Sequence, residues 1–194
     1  MVNIFTDSLR SRLLPAKDDV GIGEDNPPDA AVAVIIDPFR LGNSLLLIRR
    51  RERSGDPWSG QIAFPGGHKA TCDRTFLETA IREANEEVGI LLEPHSVLGI
   101  LPLIDARSRR IRVAPFVFLL RESVKIHTNM EVADAFWAPL SELASSTVIR
   151  SEVQIQEGKL TVDSYKYRGN VIWGLTFRII NMLLGKKSES MDYL

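Results

Sequence analysis

The sequence has a single cysteine, no long apolar run and no excess of charge of either sign. Cys72 alone cannot form an internal disulfide, and one cysteine excludes zinc sites built from four. The 24 Lys and Arg against 25 Asp and Glu give a net charge of −1, so we expect no nucleic-acid partner. The longest purely apolar stretches, Ala30–Ile36 and Val113–Leu120, fall far short of the roughly 18 residues that a membrane helix needs. We therefore expect no membrane segment.

The length and composition predict one globular domain. The chain has 194 residues, of which 44% are hydrophobic and 25% charged, and a domain commonly has about 150 residues. The first residues, MVNIFTDSLRSRLL, lack the long apolar core of a signal peptide. We expect a cytoplasmic protein with one domain over residues 1–194, whose core covers about residues 28–185.

The hydrophobic pattern predicts a sheet with helices spread along the chain. Five apolar residues recur at helical spacing over residues 75–88, and Gly89 stands where a C-cap glycine belongs. Shorter helices are predicted over residues 5–14, 141–144 and 173–184. Strands are predicted over residues 30–36, 44–49, 61–64, 96–104, 112–121, 132–137, 147–157 and 159–163. This order predicts the α/β (α+β) class, with a mixed β-sheet packed between helices.

Three glutamates share one side of the predicted 75–88 helix, opposite its apolar stripe. Glu83, Glu86 and Glu87 stand at positions i, i+3 and i+4. Clustered carboxylates repel each other, and a hard divalent cation such as Mg²⁺ would turn this repulsion into binding. Arg82 can reach Glu86 and hold one carboxylate in place. The alternative is that these glutamates form only a solvated helix face.

Two neighbouring segments bear on the choice between a metal site and a solvated helix face. Pro65-Gly66-Gly67 lets the backbone approach a ligand closely, at a strand-to-helix junction where phosphates are commonly held. The run Arg49-Arg50-Arg51 is either a phosphate contact or a solvated strand end. The glutamates together with the Gly-Gly loop favour metal-assisted phosphate chemistry.

The segment Gly67–Ile90, GHKATCDRTFLETAIREANEEVGI, resembles the Nudix box, G-x5-E-x7-R-E-U-x-E-E-x-G-U. From Arg82 to Ile90 the two agree without a gap. The first half has one extra residue, and Asp73 stands where the family usually has a glutamate. An insertion with Asp at this place is similar to the coenzyme A diphosphatase branch of the family.

Segments outside the box also resemble that branch. Its upstream signature, L-L-T-x-R-[SA]-x3-R-x3-G-x3-F-P-G-G, is matched at Leu47, Arg51, Gly60 and Phe64 to Gly67. The segments EVADAFWAPLSEL and VIWGLTFRIINMLL are similar to it as well. The signature is broken at Arg49, Glu52 and Asp56. Asp56 replaces an arginine, and an aspartate is expected to repel a substrate phosphate that an arginine would bind.

The resemblance implies a Nudix-type α/β/α sandwich and a metal-dependent hydrolase. Its substrate would be a nucleoside diphosphate linked to a second group, with coenzyme A or a derivative as the leading choice. The alternatives are an ADP-ribose or dinucleotide diphosphatase and a nucleoside triphosphate diphosphatase. A non-catalytic nucleotide-binding module is a lesser alternative, because such a module is expected to lack one or more of the glutamates. The implied partners are a small-molecule nucleotide diphosphate and Mg²⁺ or Mn²⁺. Trp173 is expected in the core or in a homodimer interface.

The resemblance also implies roles for particular residues. Water would attack one phosphorus of the P–O–P bridge, with one of the box glutamates or Glu131 as general base. Arg82 would orient the glutamates and pair with Asp73. The implied metal ligands are the carbonyl of Gly67 and the carboxylates of Glu83, Glu86 and Glu87; the implied substrate-binding residues are Arg51, Phe64, Gly66 and Gly67.

Overall fold

A mixed sheet of eight strands forms the centre of the computed structural model, which describes residues 7–16, 26–56, 58–106, 111–155 and 158–186. The strands are β1 (Ala30–Asp37), β2 (Ser44–Arg50), β3 (Ile62–Ala63), β4 (Gly66–His68), β5 (Val97–Ile100), β6 (Ile104–Ala106), β7 (Ile111–Leu119) and β8 (Val132–Pro139). Their order is β3-β2-β1-β7-β5; in addition β4 pairs with β1, β6 with β7 and β8 with β2. β1 and β7 are parallel and buried on both faces, which explains their continuous apolar runs.

Three further strands form a smaller antiparallel sheet, in the order β11-β10-β9. They are β9 (Ile149–Ile155), β10 (Gly158–Tyr167) and β11 (Asn170–Trp173). The α-helices named here are α1 (Phe76–Val88), α2 (Leu140–Ser145) and α3 (Gly174–Leu184), and a single 3₁₀ turn covers Pro94–Ser96. Residues 7–10 form one further helical turn. No helix in the described ranges is long and apolar enough to cross a membrane.

The eight-stranded sheet lies between α1 and α3. On β1, Ala33 and Ile35 belong to the apolar cluster that α1 covers, whereas Val34 and Ile36 belong to the cluster that α3 covers. This alternation follows from the two-residue period of a strand with both faces buried. The predicted α/β class, with a mixed sheet packed between helices, is confirmed.

Several predicted elements have different bounds in the structure. The helix predicted over residues 5–14 is only the turn at residues 7–10 in the described part, because Leu14 pairs with Ile100 as an isolated β-bridge. The strand predicted over residues 96–104 is two strands, β5 and β6, which both pair with β7. β11 was not predicted, and residues 156 and 157 of the predicted strand 147–157 lie outside the described residues. Trp173 is half-buried at the start of α3.

Candidate active site

α1 carries the box glutamates, and its two ends are fixed by capping contacts. The side chain of Thr75 accepts a hydrogen bond from the backbone N–H of Glu78, and Gly89 takes the left-handed conformation (φ 69°) that ends the helix. Leu77, Ala84 and other apolar residues press one stripe of α1 against the sheet. The glutamates therefore lie along the sides of a helix whose rotation is fixed by its core contacts.

Glu87 is the deepest carboxylate of the group, with 2% of the residue exposed. Its Oε2 accepts a hydrogen bond of 2.9 Å from the backbone N–H of Gly66. Burial raises the pKa of Glu87 to about 7 despite this hydrogen bond, and the charges of Glu83 and Glu131 act in the same direction. One hydrogen bond offsets only part of the cost of burying this negative charge, so the carboxylate favours either a bound proton or a cation beside it.

Glu83 lies against the backbone of Gly67. A Cβ atom placed on Gly67 would come within 2.5 Å of Oε1 of Glu83, so a larger residue here would displace that carboxylate. β4, which contains Gly67, is held there by antiparallel pairing with β1. Burial raises the pKa of Glu83 as well, against the hydrogen bond from Arg82, and the charges of Glu86 and Glu131 add to the effect. The structure thus brings Gly66, Gly67, Glu83 and Glu87 together.

Arg82 links the helix glutamates to the loop before α1. Its Nη2 and Nε donate to the carboxylate of Asp73, both at 3.0 Å, and its Nη1 donates to Glu83 Oε1 at 2.8 Å and to Glu86 Oε2 at 2.9 Å. The expected pairing of Arg82 with Asp73 is confirmed. The hydrogen bonds from Arg82 outweigh burial and lower the pKa of Asp73 to about 2, with the N–H of Ala70 contributing. Arg82 is therefore fixed by a buried, fully ionised carboxylate.

Glu131 stands directly before β8, in a segment that lies against α1: the N–H of Asn129 donates to the backbone carbonyl of Glu87 at 3.2 Å. The carboxylate of Glu131 accepts a hydrogen bond of 3.0 Å from Arg53 and is half-exposed. Its charge contributes to the raised pKa of both Glu83 and Glu87. Arg51 holds the segment around it. The backbone N–H of Arg51 donates to the Glu131 carbonyl at 2.8 Å, and its side chain donates to the backbone carbonyls on either side, those of residues 130 and 132.

Phe64 and Asp56 have surroundings that the sequence did not indicate. Phe64 is 4% exposed and packs in the apolar cluster that α3 covers, away from the glutamates. Asp56 is not a free anion, because its Oδ2 accepts a hydrogen bond of 2.9 Å from Arg50 and its Oδ1 accepts one of 3.0 Å from the N–H of Trp58. The contact between Arg50 and Asp56 was missed, because Arg50 was read only as part of an arginine run. The alternation along β2 was the available signal, since it puts Arg50 on the same face as Ile48, toward α1.

The chemistry of this donor set fits a hard divalent cation. The available ligand groups are carboxylate oxygens and the Gly67 carbonyl, which suit Mg²⁺ and Mn²⁺ rather than softer metals. Two of the carboxylates, Glu83 and Glu87, are buried enough that ionising them is costly, and a cation would offset this cost. In the described part of the chain, no three His, Cys, Asp or Glu side chains already converge as a metal site. Arg82 holds Glu83 and Glu86, and this guanidinium is the cation that balances them here.

Comparison with known proteins agrees with this arrangement. Residues 27–157 match the NUDIX domain family. A protein of Pectobacterium atrosepticum named uncharacterized Nudix hydrolase NudL is 39% identical over 140 residues, which cover 71% of this chain and 72% of that protein. A protein of the same name from Yersinia enterocolitica is 38% identical over 154 residues, which cover 78% of each chain.

Among solved structures, the fold is similar to that of a bifunctional NMN adenylyltransferase/ADP ribose pyrophosphatase from Francisella tularensis, complexed with AMP and a Mn ion. The TM-score is 0.51 at 18% identity, and the match covers 94% of this chain and 46% of that one. This likeness concerns the fold alone. The sequence matches extend over more than half of the chain and include relatives above 30% identity, and the chain therefore belongs to the Nudix hydrolase family.

Proposed function

We propose that this Nudix hydrolase cleaves the diphosphate bond of coenzyme A or a derivative, with Mg²⁺ or Mn²⁺ as its metal ion. The observation that carries the proposal is the carboxylate group around the Gly66-Gly67 backbone, with Glu87 buried at its base. A diphosphate brings negative charge to this place, and the carboxylates alone would repel it. A divalent metal ion would bind both the carboxylates and the diphosphate, so metal-assisted hydrolysis explains how these negative groups can lie together.

Glu83, Glu86, Glu87 and the Gly67 carbonyl are the groups that we propose as metal ligands. A divalent cation bound to them would neutralise the diphosphate and lower the pKa of the attacking water. Members of the Nudix family generally use such ions. Arg82 supports this role because Asp73 fixes it where it can hold Glu83 and Glu86 before an ion arrives.

Glu131 is the carboxylate that we propose as general base. It comes from the segment before β8 rather than from α1, and Asn129 of that segment donates to the backbone carbonyl of Glu87. Arg53 orients its carboxylate, and Arg51 positions its backbone. Glu131 would accept a proton from the water that attacks phosphorus, while the P–O bridge bond breaks and the leaving phosphate takes the electron pair. The products would be the nucleoside 5′-phosphate, which for coenzyme A keeps its 3′-phosphate, and the phosphate of the second group.

The substrate is tested by a metal-dependent activity panel. The panel comprises coenzyme A, 3′-dephospho-coenzyme A, ADP-ribose, diadenosine polyphosphates, NADH and nucleoside triphosphates, with Glu87→Gln as the inactive control. Reaction in ¹⁸O-labelled water is expected to place the label on one of the two phosphate products. Recovery of every compound intact with both Mg²⁺ and Mn²⁺ would instead favour a nucleotide-binding module without catalysis.

ADP-ribose hydrolysis is a second candidate, and the residue at position 56 favours it. The coenzyme A signature has an arginine there, and this chain has Asp56. Coenzyme A carries a 3′-phosphate that ADP-ribose lacks, so the loss of a cation matters more for coenzyme A if this position faces that phosphate. Cleavage of ADP-ribose without cleavage of either coenzyme A form would decide for the second candidate.

We also propose that the family-matched region and the residues after it form one domain. Tyr165 of β10 and Phe177 and Ile180 of α3 pack in the same apolar cluster as Val34 of β1 and Leu47 of β2. The region after residue 157 therefore supplies half of the sheet's covering, and its removal is expected to prevent folding.

A further inference from the structure

Arg50 occupies an unusual place for an arginine, at the end of a buried strand. It closes β2 on the face that α1 covers, and its side chain is 29% exposed. Its Nη2 donates to Asp56 at 2.9 Å. Its Nε is buried and has no hydrogen-bond partner among the residues that the structure describes. A buried guanidinium N–H without an acceptor is costly unless a ligand supplies one.

The other arginines near the glutamates already have protein acceptors. Arg82 donates to Asp73 and two glutamates, Arg53 donates to Glu131, and Arg51 donates to backbone carbonyls. Arg50 differs from them because its unpaired Nε is buried, although its side chain as a whole is 29% exposed. β2 sets Arg50 opposite Val132 of β8, directly after Glu131.

Asp56, the partner of Arg50, lines a cavity of about 470 Å³. The cavity is bordered by the loop before β3 and by the end of β9, with Ser59 and Gln154 among its polar groups. Hydrogen bonds from Arg50 and from the N–H of Trp58 outweigh burial and lower the pKa of Asp56. The ion pair therefore places Arg50 beside the wall of this cavity.

We propose that Arg50 binds a phosphate oxygen of the substrate's diphosphate through a guanidinium N–H that Asp56 does not accept, and that Asp56 is the positioning residue that holds its guanidinium. This inference rests on the proposed function, because it assumes a diphosphate beside the box glutamates. Arg50 lies on the face of β2 that α1 covers and bonds to Asp56 in the cavity wall, so a substrate that used both places would meet this pair. The negative charge of Asp56 is balanced by Arg50, so Asp56 does not repel a substrate phosphate as the sequence alone suggested.

Arginine suits this task better than lysine, because its fork offers several donors in fixed directions. One donor can stay on Asp56 while another reaches the phosphate. A lysine at position 50 could keep the ion pair but would have no rigid second donor. Arg50→Lys therefore separates a structural ion pair from phosphate binding.

The test measures binding of methylenediphosphonate, which cannot be hydrolysed, by isothermal titration calorimetry in the presence of Mg²⁺. Arg50→Met is expected to weaken binding about 10- to 100-fold, the size of one charge-assisted hydrogen bond. Arg50→Lys is expected to keep the thermal midpoint within a few degrees and still lose about fivefold or more. Titration of each variant with Mg²⁺ alone separates the phosphate contact from any change in metal affinity.

Arg49→Met is the matched control. Arg49 precedes Arg50 in β2, its side chain is 47% exposed, and its Nη2 lies 3.9 Å from Oδ2 of Asp134. Arg49→Met removes the same charge on the other face of β2, and this variant is expected to change binding less than twofold. An equal loss in Arg49→Met and Arg50→Met, or unchanged binding in both Arg50 variants, would overturn the proposal, as would a parent protein that does not bind the diphosphonate.

Asp56→Asn distinguishes positioning from repulsion. If Asp56 positions Arg50, the variant is expected to bind the diphosphonate more weakly, and Asp56→Asn in the Arg50→Met background is expected to cost nothing further. Tighter binding by Asp56→Asn would show repulsion and contradict the proposal. These experiments measure binding and not turnover. A parent protein that hydrolyses nothing but binds the diphosphonate through Arg50 would therefore refute the proposed hydrolysis and leave the role of Arg50 standing.

Discussion

Replacing Glu87 with glutamine is expected to stabilise the metal-free protein at alkaline pH. The pKa of Glu87 is raised to about 7 from an ordinary 4.5, chiefly by burial, so the folded state holds its proton where the unfolded chain has released it. The free energy of unfolding therefore falls as pH rises from about 4.5 to about 7, and it stays lower above pH 7. At about 1.36 kcal/mol for each pH unit, this fall is about 3 kcal/mol. Glutamine carries no such cost, and its carbonyl can still accept the hydrogen bond from Gly66.

The assay is urea unfolding of the parent and Glu87→Gln, with EDTA, at pH 4.5 and pH 8.5. The quantity compared is the change in the variant's relative stability between the two pH values, because constant packing differences cancel in it. We expect Glu87→Gln to gain about 2 to 3 kcal/mol on the parent between these pH values. Glu122→Gln, in the exposed loop after β7, is the control and is expected to change by less than about 0.5 kcal/mol.

Adding the metal should remove most of the difference between the two proteins. A ligand at 100 times its dissociation constant stabilises the folded state by about 2.7 kcal/mol, provided that it binds the folded state alone. The parent at pH 8.5 should gain this with Mg²⁺ or Mn²⁺, whereas Glu87→Gln should gain much less because a ligand charge is missing. If the variant is less stable than the parent in EDTA at pH 8.5, and both gain equally from metal, Glu87 is a structural carboxylate and the reasoning fails.

Three further predictions concern the groups around Glu87. Glu83→Gln is expected to lower turnover at saturating Mg²⁺ by about 10²-fold or more, with little change in the metal-free thermal midpoint, and near-normal turnover would remove Glu83 from the metal site. Gly67→Ala is expected to cut turnover by about tenfold or more, because its Cβ displaces the Glu83 carboxylate, and full activity would show that Glu83 can move without loss. The pKa of Asp73 is lowered to about 2, so it adds roughly 2 kcal/mol above pH 3.8 that is lost as pH falls toward 2. Asp73→Asn should lack this acid-dependent loss in denaturant titrations, and an unchanged acid limb would contradict the assignment.

The parts of the site that follow a local period were predictable from the sequence. α1 was predicted with its C-cap at Gly89 from its apolar stripe, but Glu87 was predicted opposite that stripe and is instead 2% exposed, seven residues after the buried Ala80. The buried strands β1 and β7 were predicted from continuous apolar runs. The pairing of Arg82 with Asp73 came from the family resemblance, not from a period, since the two residues lie nine positions apart across a loop and a helix start.

The parts that depend on contacts between distant segments were not predictable in this way. The side chain of Arg51 donates to the carbonyl of Met130, 79 residues further along the chain, and no local pattern signals such a contact. The strand predicted over residues 96–104 is divided at residues 101–103, and Leu14, from the start of the chain, pairs with Ile100. Phe64 packs in the apolar cluster that α3 covers, which its neighbours in sequence do not reveal. Each of these features depends on tertiary contacts that override the local signal.

The charges of the site are balanced unequally, and this imbalance supports Glu87 as a ligand of the proposed metal ion. Arg82 donates to Glu83 and to Glu86, so these two carboxylates have a protein cation beside them. Glu87 is more buried than either, yet in the described part of the chain its carboxylate receives a hydrogen bond from the neutral N–H of Gly66. A neutral donor offsets only part of the cost of burying a charge. The carboxylate with the largest desolvation cost is thus the one without an arginine bonded to it, and a divalent cation at Glu87 would gain most while Arg82 keeps the remaining glutamates in place.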